Sequence, residues 1–323
     1  METLRLSVVV PTHDTRDLTL RCFSSLAEVI ARGVEVVLVD DGSRDDTAVA
    51  ARDRFPSVRV LLHDAARGFT ASANDGLGAA HGDILLLLNS DTEVAENALS
   101  RLLQAFADDR RLGVASPRLL NPDRSPQWSG GDAPTLLWLF LLASGLPAAL
   151  HAIPGYRRLR PVRSETGGPL DWVTGAAMAI RREAWDDVGP LDTRFRFYAQ
   201  DLDFCLRVRK AGWRVGLVPG STIVHVGGAT IGRRSGAVGS VSHPGLLWTD
   251  LLLWAEKRHG RPWALAAARR LALGGRLRLL VRALGQLLLP PGKRVQWRRD
   301  SEAFRSALAE LRRWRDDRRS QPG

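Results

Sequence analysis

From Leu6 to about Pro117, short apolar runs alternate with longer amphipathic stretches, the order expected of parallel strands joined by crossover helices. Ser7–Pro11, Val34–Val39, Val58–Leu62 and Ile84–Leu88 are rich in β-branched residues or leucine, and each closes on polar or turn-forming residues, which predicts four strands. The stretches between them, Asp17–Ala31, Asp45–Arg54 and Thr70–Ala80, have helix-forming composition, with Thr15, Ser43 and Thr70 placed as N-caps. The pattern is that of a doubly wound α/β sheet. Ligands bind such sheets beyond the carboxyl ends of the strands, so the polar residues closing each run are the ones to examine.

Between Asn121 and Gly168, Pro, Gly and Ser interrupt the periodicity, and the expectation is loops around one apolar helix, Thr-Leu-Leu-Trp-Leu-Phe-Leu-Leu-Ala-Ser (135–144). Gly145 and Pro147 break this uncharged run well short of a bilayer-spanning length, so it is suited to dipping into a membrane rather than crossing one. Regular patterning returns from Leu170 to Gly228. After Pro244 the composition shifts to Leu, Trp, Ala and Arg at helical spacing, which predicts two parts: an α/β domain over 1–243 and a helical region over 244–323.

Charge separates the same two parts. The 323 residues carry 46 Lys and Arg against 35 Asp and Glu, a formal charge of +11; residues 1–243 hold 28 of each sign, and residues 244–323 hold 18 basic and 7 acidic side chains. At 45% hydrophobic and 25% charged, the composition supports a large core and excludes wholesale disorder. Leu277, Leu280, Val281, Leu284 and Leu288 recur at helical spacing, with Arg276, Arg278 and Arg282 largely off that stripe and Trp248, Trp254, Trp263 and Trp297 interspersed. Such a region suits an anionic membrane surface, or packing of its leucines on the first domain or on a second subunit as a homodimer. Nucleic acid is not the expected partner, because the basic excess sits on leucine-rich helices without a recognised binding motif. Two cysteines, Cys22 and Cys205, make neither a disulfide framework nor a zinc site, and no signal-peptide pattern opens the chain. The expected location is the cytoplasm, at the inner face of the cell membrane.

Three strings could carry chemistry. Val-Asp-Asp-Gly-Ser (39–43) follows a strand and precedes a helix; it reads as a capped turn or as a carboxylate receiving a ring N–H. Asn-Ser-Asp (89–91) ends the most hydrophobic strand, where a carboxylate makes a polar turn or ligates a hard divalent cation. Gln-Asp-Leu-Asp (200–203) follows Phe195, Phe197 and Tyr198; apolar neighbours could fit Asp201 or Asp203 as a proton acceptor, and both equally suit a helix's first turn.

In order and spacing, these strings resemble the family 2 glycosyltransferases, especially the rhamnosyltransferase-like branch acting on cell-surface polysaccharides. The resemblance runs over about residues 5 to 235 through Val-Val-Val-Pro-Thr-His-Asp (8–14), residues 39–43, Gly68 with Asn74 and Gly76, Leu-Asn-Ser-Asp-Thr-Glu-Val (88–94), Gly-Ala-Ala-Met-Ala-Ile-Arg-Arg (175–182), Gln-Asp-Leu-Asp-Phe-Cys-Leu-Arg (200–207) and His225. It implies a mixed sheet of the type A glycosyltransferase fold that binds a dTDP- or UDP-linked sugar, with dTDP-rhamnose first among candidates. Pro11 and Asp40 would surround the nucleoside, and Thr12, Asp14, Asp41, Gly68, Asn74 and Ser90 would complete the donor side. Asp91 would hold Mn2+ or Mg2+, with His225 as a second metal or phosphate contact or a structural histidine. Asp201 would be the general base of an inverting transfer to a glycan or lipid-linked hydroxyl, with Asp203 in reserve. Gln200 stands where the family usually has Glu, and can hydrogen-bond a sugar hydroxyl but not act as a base. Trp172 would face the acceptor sugar over the small Gly175 and Ala176, or anchor the core. Arg233, with Arg234, would close over the diphosphate or lie in a solvated loop. The alternatives are a sugar-phosphate nucleotidyltransferase, whose glycine-rich basic loop is missing after the first strand, and a non-catalytic interaction protein on the same fold.

Overall fold

A computed structural model describes residues 4–146, 169–227, 243–286 and 291–320. The chain divides into two units: one takes in 1–133, 162–196 and 200–233, the other 134–161, 197–199 and 234–323. The apolar helix near residue 140, expected within the first part, thus groups with the C-terminal helices.

The first unit is built on an eight-stranded mixed sheet in the order β3-β2-β1-β4-β9-β6-β10-β5. Strands β1 (Leu6–Thr12), β2 (Glu35–Asp40), β3 (Arg59–Leu62) and β4 (Ile84–Leu88) are parallel, matching the four expected runs. β1, β4 and nearly all of β2 are buried on both faces, which is why they read as unbroken apolar runs rather than alternating ones. Helices α1 (Arg16–Ser25), α2 (Ala27–Ala31), α3 (Thr47–Arg54) and α4 (Phe69–Ala79) connect them. The chain winds outward through β2 and β3, then returns to place β4 on the other side of β1; the order reverses there, the position at which open sheets form a crevice.

None of the three expected caps closes its helix with its side chain: Thr15 stands at the N-cap of α1 without a side-chain bond to it. Ser43 takes the N–H of Asp14 on its hydroxyl, and Thr70 donates its hydroxyl to the carbonyl of Phe195; the turn before α3 is instead closed by Asp45, whose carboxylate accepts the N–H of Thr47. Gly76 lets α4 lie directly on the sheet, because a Cβ there would overlap the side chains of Val9 and Val39.

Past β4 come β5 (Thr92–Val94), α5 (Ala98–Asp108), β6 (Leu112–Leu120) and β7 (Gly130–Gly131). After α6 (Leu136–Ser144), which belongs to the second unit, follow β8 (Trp172–Val173), β9 (Ala177–Arg181), α7 (Arg182–Val188), α8 (Gln200–Lys210) and β10 (Arg214–His225). β9 runs antiparallel to β4 with Ala177 beside Leu88, so the residues just before β9 lie at the carboxyl end of β4. β10 is parallel to β6 and antiparallel to β5, which brings His225 beside Thr92 at that same end.

The second unit holds α6, α9 (Pro244–His259), α10 (Arg261–Gln286) and α11 (Pro291–Ser320). Thr135 caps α6 by accepting the N–H of Trp138, and Gly145 ends it at φ +69. Gly274 brings α10 against α6 at Phe140 and Ala143, and Gly275 brings it against Trp248. Trp248 and Trp254 are buried core residues here, not interfacial ones. Arg278 and Arg282, expected on an outward cationic face, instead stack over Phe304 of α11 at 4.2 and 5.9 Å. Leu288 and the side chain of Trp297 lie outside the described residues. No described helix is long and apolar enough to cross a membrane.

Candidate functional site

The carboxyl ends of β1 to β4 gather most of the residues the sequence singles out. At the crevice between β1 and β4, the buried hydroxyl of Thr12 lies 2.7 Å from that of Thr15 and 2.8 Å from that of Thr19, and Thr15 reaches Ser90 at 3.0 Å. This chain of hydroxyls joins the end of β1 to the turn after β4 without using a charge. Pro11 sits beside it in the strand. Asp14 is turned outward at φ +50, and its carboxylate accepts the N–H of Arg44, so it braces one loop against the next.

Asp40 and Asp41, adjacent in sequence, do different work. Asp40 is buried at the end of β2 and accepts the N–H of Ser43 at 2.8 Å, which shapes the turn. Gly42 allows that turn by taking φ +71, and a Cβ there would also strike the backbone of Ala65. Asp41 points into the protein and accepts from His63 Nδ1 at 2.7 Å and from the N–H groups of Arg67 and Gly68, each at 2.8 Å. Burial works to raise its pKa, but bonds from His63, Arg67, Gly68 and Ser72 overcome this and hold it below the usual aspartate value. The far nitrogen of His63 meets Asp75 on α4 at 2.9 Å, and Asp75 also pairs with Arg67.

The turn after β4 presents Asn89, Ser90 and Asp91. The carboxylate of Asp91, nearly buried, is 3.2 Å from His225 Nε2, and the amide nitrogen of Asn89 is 3.3 Å from the same ring atom. His225 is oriented from behind by Gln127, whose Oε1 is 2.7 Å from Nδ1. Asn89 Oδ1 is buried with no hydrogen-bond partner among the described residues. Asp91 and His225 supply one carboxylate and one imidazole 3.2 Å apart, a hard O and N pair of the kind that a Mg2+- or Mn2+-type ion takes together with water and phosphate, while Asn89 turns its amide nitrogen toward the ring. No cluster of three or more His, Cys, Asp or Glu suited to a metal occurs among the described residues.

Residues 174–176 connect this turn to the next candidate. The carbonyl of Ala176 accepts the N–H of Asn89 at 2.9 Å, while the N–H of Gly175 donates to Asp201 Oδ2, also at 2.9 Å. Asp201 stands in the first turn of α8, just after Ala199 at φ +63, and its second oxygen accepts the N–H of Leu202. Burial raises its pKa above the ordinary aspartate value against the pull of these N–H groups. Asp203 is pointed elsewhere: it is paired with Arg207 at 3.0 Å, which removes it from the reserve-base role. Gln200 is buried, and its Oε1 has no partner among the described residues.

Trp172 is the core anchor of its two readings. It is 7% exposed, and its indole N–H is bound to the carbonyl of Asp132. Its edge-to-face neighbour at 4.9 Å, Trp128, is the more open ring, at 38%. Sequence reading passes over Trp128, Gln127 and His63, since the first two fall in the Pro/Gly/Ser-rich stretch and His63 has no motif around it. Arg233 and Arg234 lie outside the described residues. Both cysteines are buried, with the Cys22 thiol pushed up to about 12, so neither is a nucleophile.

Asn74 uses its side chain on the fold. It donates to the carbonyl of Leu191 at 2.8 Å and accepts the Leu191 N–H at 2.9 Å. Asn74→Ala is expected to cost about 2 kcal/mol, two bonds at about 1 kcal/mol each, seen as a lower melting temperature with donor affinity preserved. A loss of donor affinity without loss of stability would return Asn74 to the donor site.

Comparison with known proteins agrees with this geometry. The chain is 29% identical over 280 residues to the N-acetylglucosaminyl-diphospho-decaprenol L-rhamnosyltransferase of Mycobacterium tuberculosis, covering 80% of this chain and 86% of that protein. It is 28% identical over 226 residues to the pre-mycofactocin glycosyltransferase of the same organism, covering 68% of this chain and 42% of that one. In fold it is similar to the mannosyltransferase PcManGT of Pyrobaculum calidifontis, solved with GDP-Man and Mn2+, at TM-score 0.58 and 17% identity over 98% of this chain and 88% of that one. GalNAc-T7, solved with UDP, GalNAc and Mn2+, gives TM-score 0.52 at 19% identity over 69% and 43%. The mixed sheet is that of the type A glycosyltransferases. A second family description, Glycosyl transferase family group 2, matches residues 154–291. With the Glycosyl transferase family 2 model matching residues 7–187, more than half of its length, the chain belongs to that family and is a glycosyltransferase.

Proposed function

We propose that the chain transfers a sugar, rhamnose foremost, from a dTDP- or UDP-linked donor to a hydroxyl of a lipid-linked or glycan acceptor in cell-surface polysaccharide synthesis, with inversion at the anomeric carbon. One observation carries the reading: two consecutive residues, Gly175 and Ala176, hold Asp201 on one side and the Asn89–Asp91 turn on the other. Asp201 and Asp91, the proton acceptor and the cation-binding carboxylate of this reading, would thereby share one end of the sheet, as a single displacement requires. The curated rhamnosyltransferase relative, whose name specifies a lipid-diphosphate acceptor, supports the choice of sugar and acceptor class.

In this reading Asp201 takes the proton of the acceptor hydroxyl as its oxygen forms the bond to the anomeric carbon, and the bond from that carbon to the nucleotide diphosphate breaks with its electron pair. Asp91, with His225 beside it, would hold a divalent ion, Mn2+ or Mg2+, whose charge stabilises the diphosphate. Thr12 and Asp40 border the nucleoside, and Gln200 offers its unpaired oxygen to an acceptor hydroxyl. The acceptor's lipid would keep the enzyme at the inner face of the cell membrane.

Calorimetric titration with UDP-, dTDP- and GDP-sugars, each with Mn2+ or Mg2+ and with chelator, tests donor and metal together. The expected result is metal-dependent binding of one pyrimidine nucleotide-sugar that disappears in Asp91→Ala. Binding unaffected by chelator and by Asp91→Ala would reject the metal role, and no binding to any donor would reject the reading.

A further inference from the structure

We propose that the outer face shared by α6 and α10 docks onto an anionic phospholipid leaflet, with leucines entering the acyl region and arginines meeting headgroup phosphates. The proposal deepens the lipid-linked-acceptor reading by naming the surface that would keep the enzyme on the bilayer, and it can be tested without donor or acceptor.

On α10, Leu273, Leu280 and Leu284 are spaced to fall on one side, and they are 51%, 58% and 59% exposed; Leu137 on α6 is 65% exposed. Two adjoining hollows of about 310 and 280 Å³ lie between the helices, floored by Leu136, Phe140 and Leu273, with Arg269 and Arg270 at the edge. Leu137 and Leu273 line this groove, and Leu280 and Leu284 carry the exposed apolar stripe further along α10, more than the singly scattered apolar residues of an ordinary surface.

The charges around this face identify what would cover it. Arg269, Arg270 and Arg276 are exposed beside the leucines, whereas neither α6 nor α10 contains a single Asp or Glu. Two copies joined through this face would bring arginine against arginine with no carboxylate of either helix to pair them. An anionic leaflet answers both features at once, since it accepts leucine and neutralises arginine. The inward turn of Arg278 and Arg282 onto Phe304 points the same way: part of the basic charge is drawn into the helical unit while leucines remain outside, the reverse of a helix made for water. With no described helix able to span a bilayer, the contact is interfacial.

Co-sedimentation of the full chain with vesicles of phosphatidylcholine alone, or mixed equally with phosphatidylglycerol, at about 150 mM salt is the test. Binding is expected to the mixed vesicles and not to the neutral ones. Arg269→Glu/Arg270→Glu and Leu280→Gln/Leu284→Gln are each expected to lower the partition coefficient by about tenfold or more. The leucines are more than half exposed, so unchanged circular dichroism and melting would verify the fold. Equal binding to both vesicle types, or undiminished binding by both variants, would overturn the proposal. So would a dimer in sedimentation equilibrium that Leu280→Gln/Leu284→Gln dissociates, which would assign the face to a second copy. Vesicle binding that persists while every donor titration is blank would leave the docking surface standing and remove the proposed donor and acceptor.

Discussion

Asp201→Asn is expected to lower kcat by about 10²- to 10⁴-fold, the range for losing a positioned general base, while leaving donor affinity unchanged. The substitution keeps the shape of the group and one oxygen to accept from Gly175 or Leu202, but it removes the basic electron pair. Burial gives the same residue a pH signature. Because its pKa is raised, the fraction able to accept a proton falls at a higher pH than for an ordinary aspartate, so the acid limb of kcat/KM should lie above about 4. The linked stability has the opposite sense. A carboxyl whose folded pKa exceeds its unfolded one favours the native state most below the ordinary value, and that contribution is lost as pH rises through the folded pKa. Asp203→Asn provides the contrast, since it removes the charge that Arg207 pairs with and should reduce stability without moving the acid limb. If Asp201→Asn keeps wild-type kcat, the base is some other group.

Asp41→Ala is expected to destabilise the protein by about 3 kcal/mol, because His63 and the N–H groups of Arg67 and Gly68 lose their common acceptor at about 1 kcal/mol each. Urea unfolding measures it. Here the pKa is depressed in the folded state, so the contribution is fully present above the ordinary aspartate value and disappears as pH falls through the lowered one. Wild type should therefore lose stability below about pH 4 through this group, and the variant should lack that component. A variant as stable as wild type at pH 7 would mean that water replaces the carboxylate without loss.

The parallel strands were legible because burial on both faces leaves β1, β2 and β4 almost no polar positions, so each ends abruptly at a polar turn. Caps were less legible. Ser43 and Asp45 are both suitable capping residues two positions apart, and their roles depend on whether Asp14 or Thr47 supplies the nearer N–H, which is a matter of tertiary distance. Asp40 and Asp41 could not be told apart along the string, although one shapes a turn and the other anchors a distant loop. Likewise, Gln127 and Trp128 acquire their places through contacts that leave no periodic signal, the N–H of Gln127 on the carbonyl of Leu119 and the ring of Trp128 against Trp172. The C-terminal stripe showed its period without its direction: helical spacing identifies a face, but only Phe304 determines that Arg278 and Arg282 lie on the inner one.

The hydroxyls of Thr19, Thr12, Thr15 and Ser90 form a file from α1 to the turn that carries Asp91. Each O–H can both give and receive, and most of these contacts have no fixed polarity. A carboxylate flanked by lysines or amides would be committed to one charge state, whereas hydrogens on hydroxyls can rotate while every heavy atom stays in its well. Thr19 gives its hydrogen to the carbonyl of Thr15 at 3.0 Å, which anchors the α1 end of the file, so it is the hydroxyls of Thr12, Thr15 and Ser90 that are free to turn. Dipoles that reorient without moving a heavy atom thereby stand at a position from which bulk solvent is excluded.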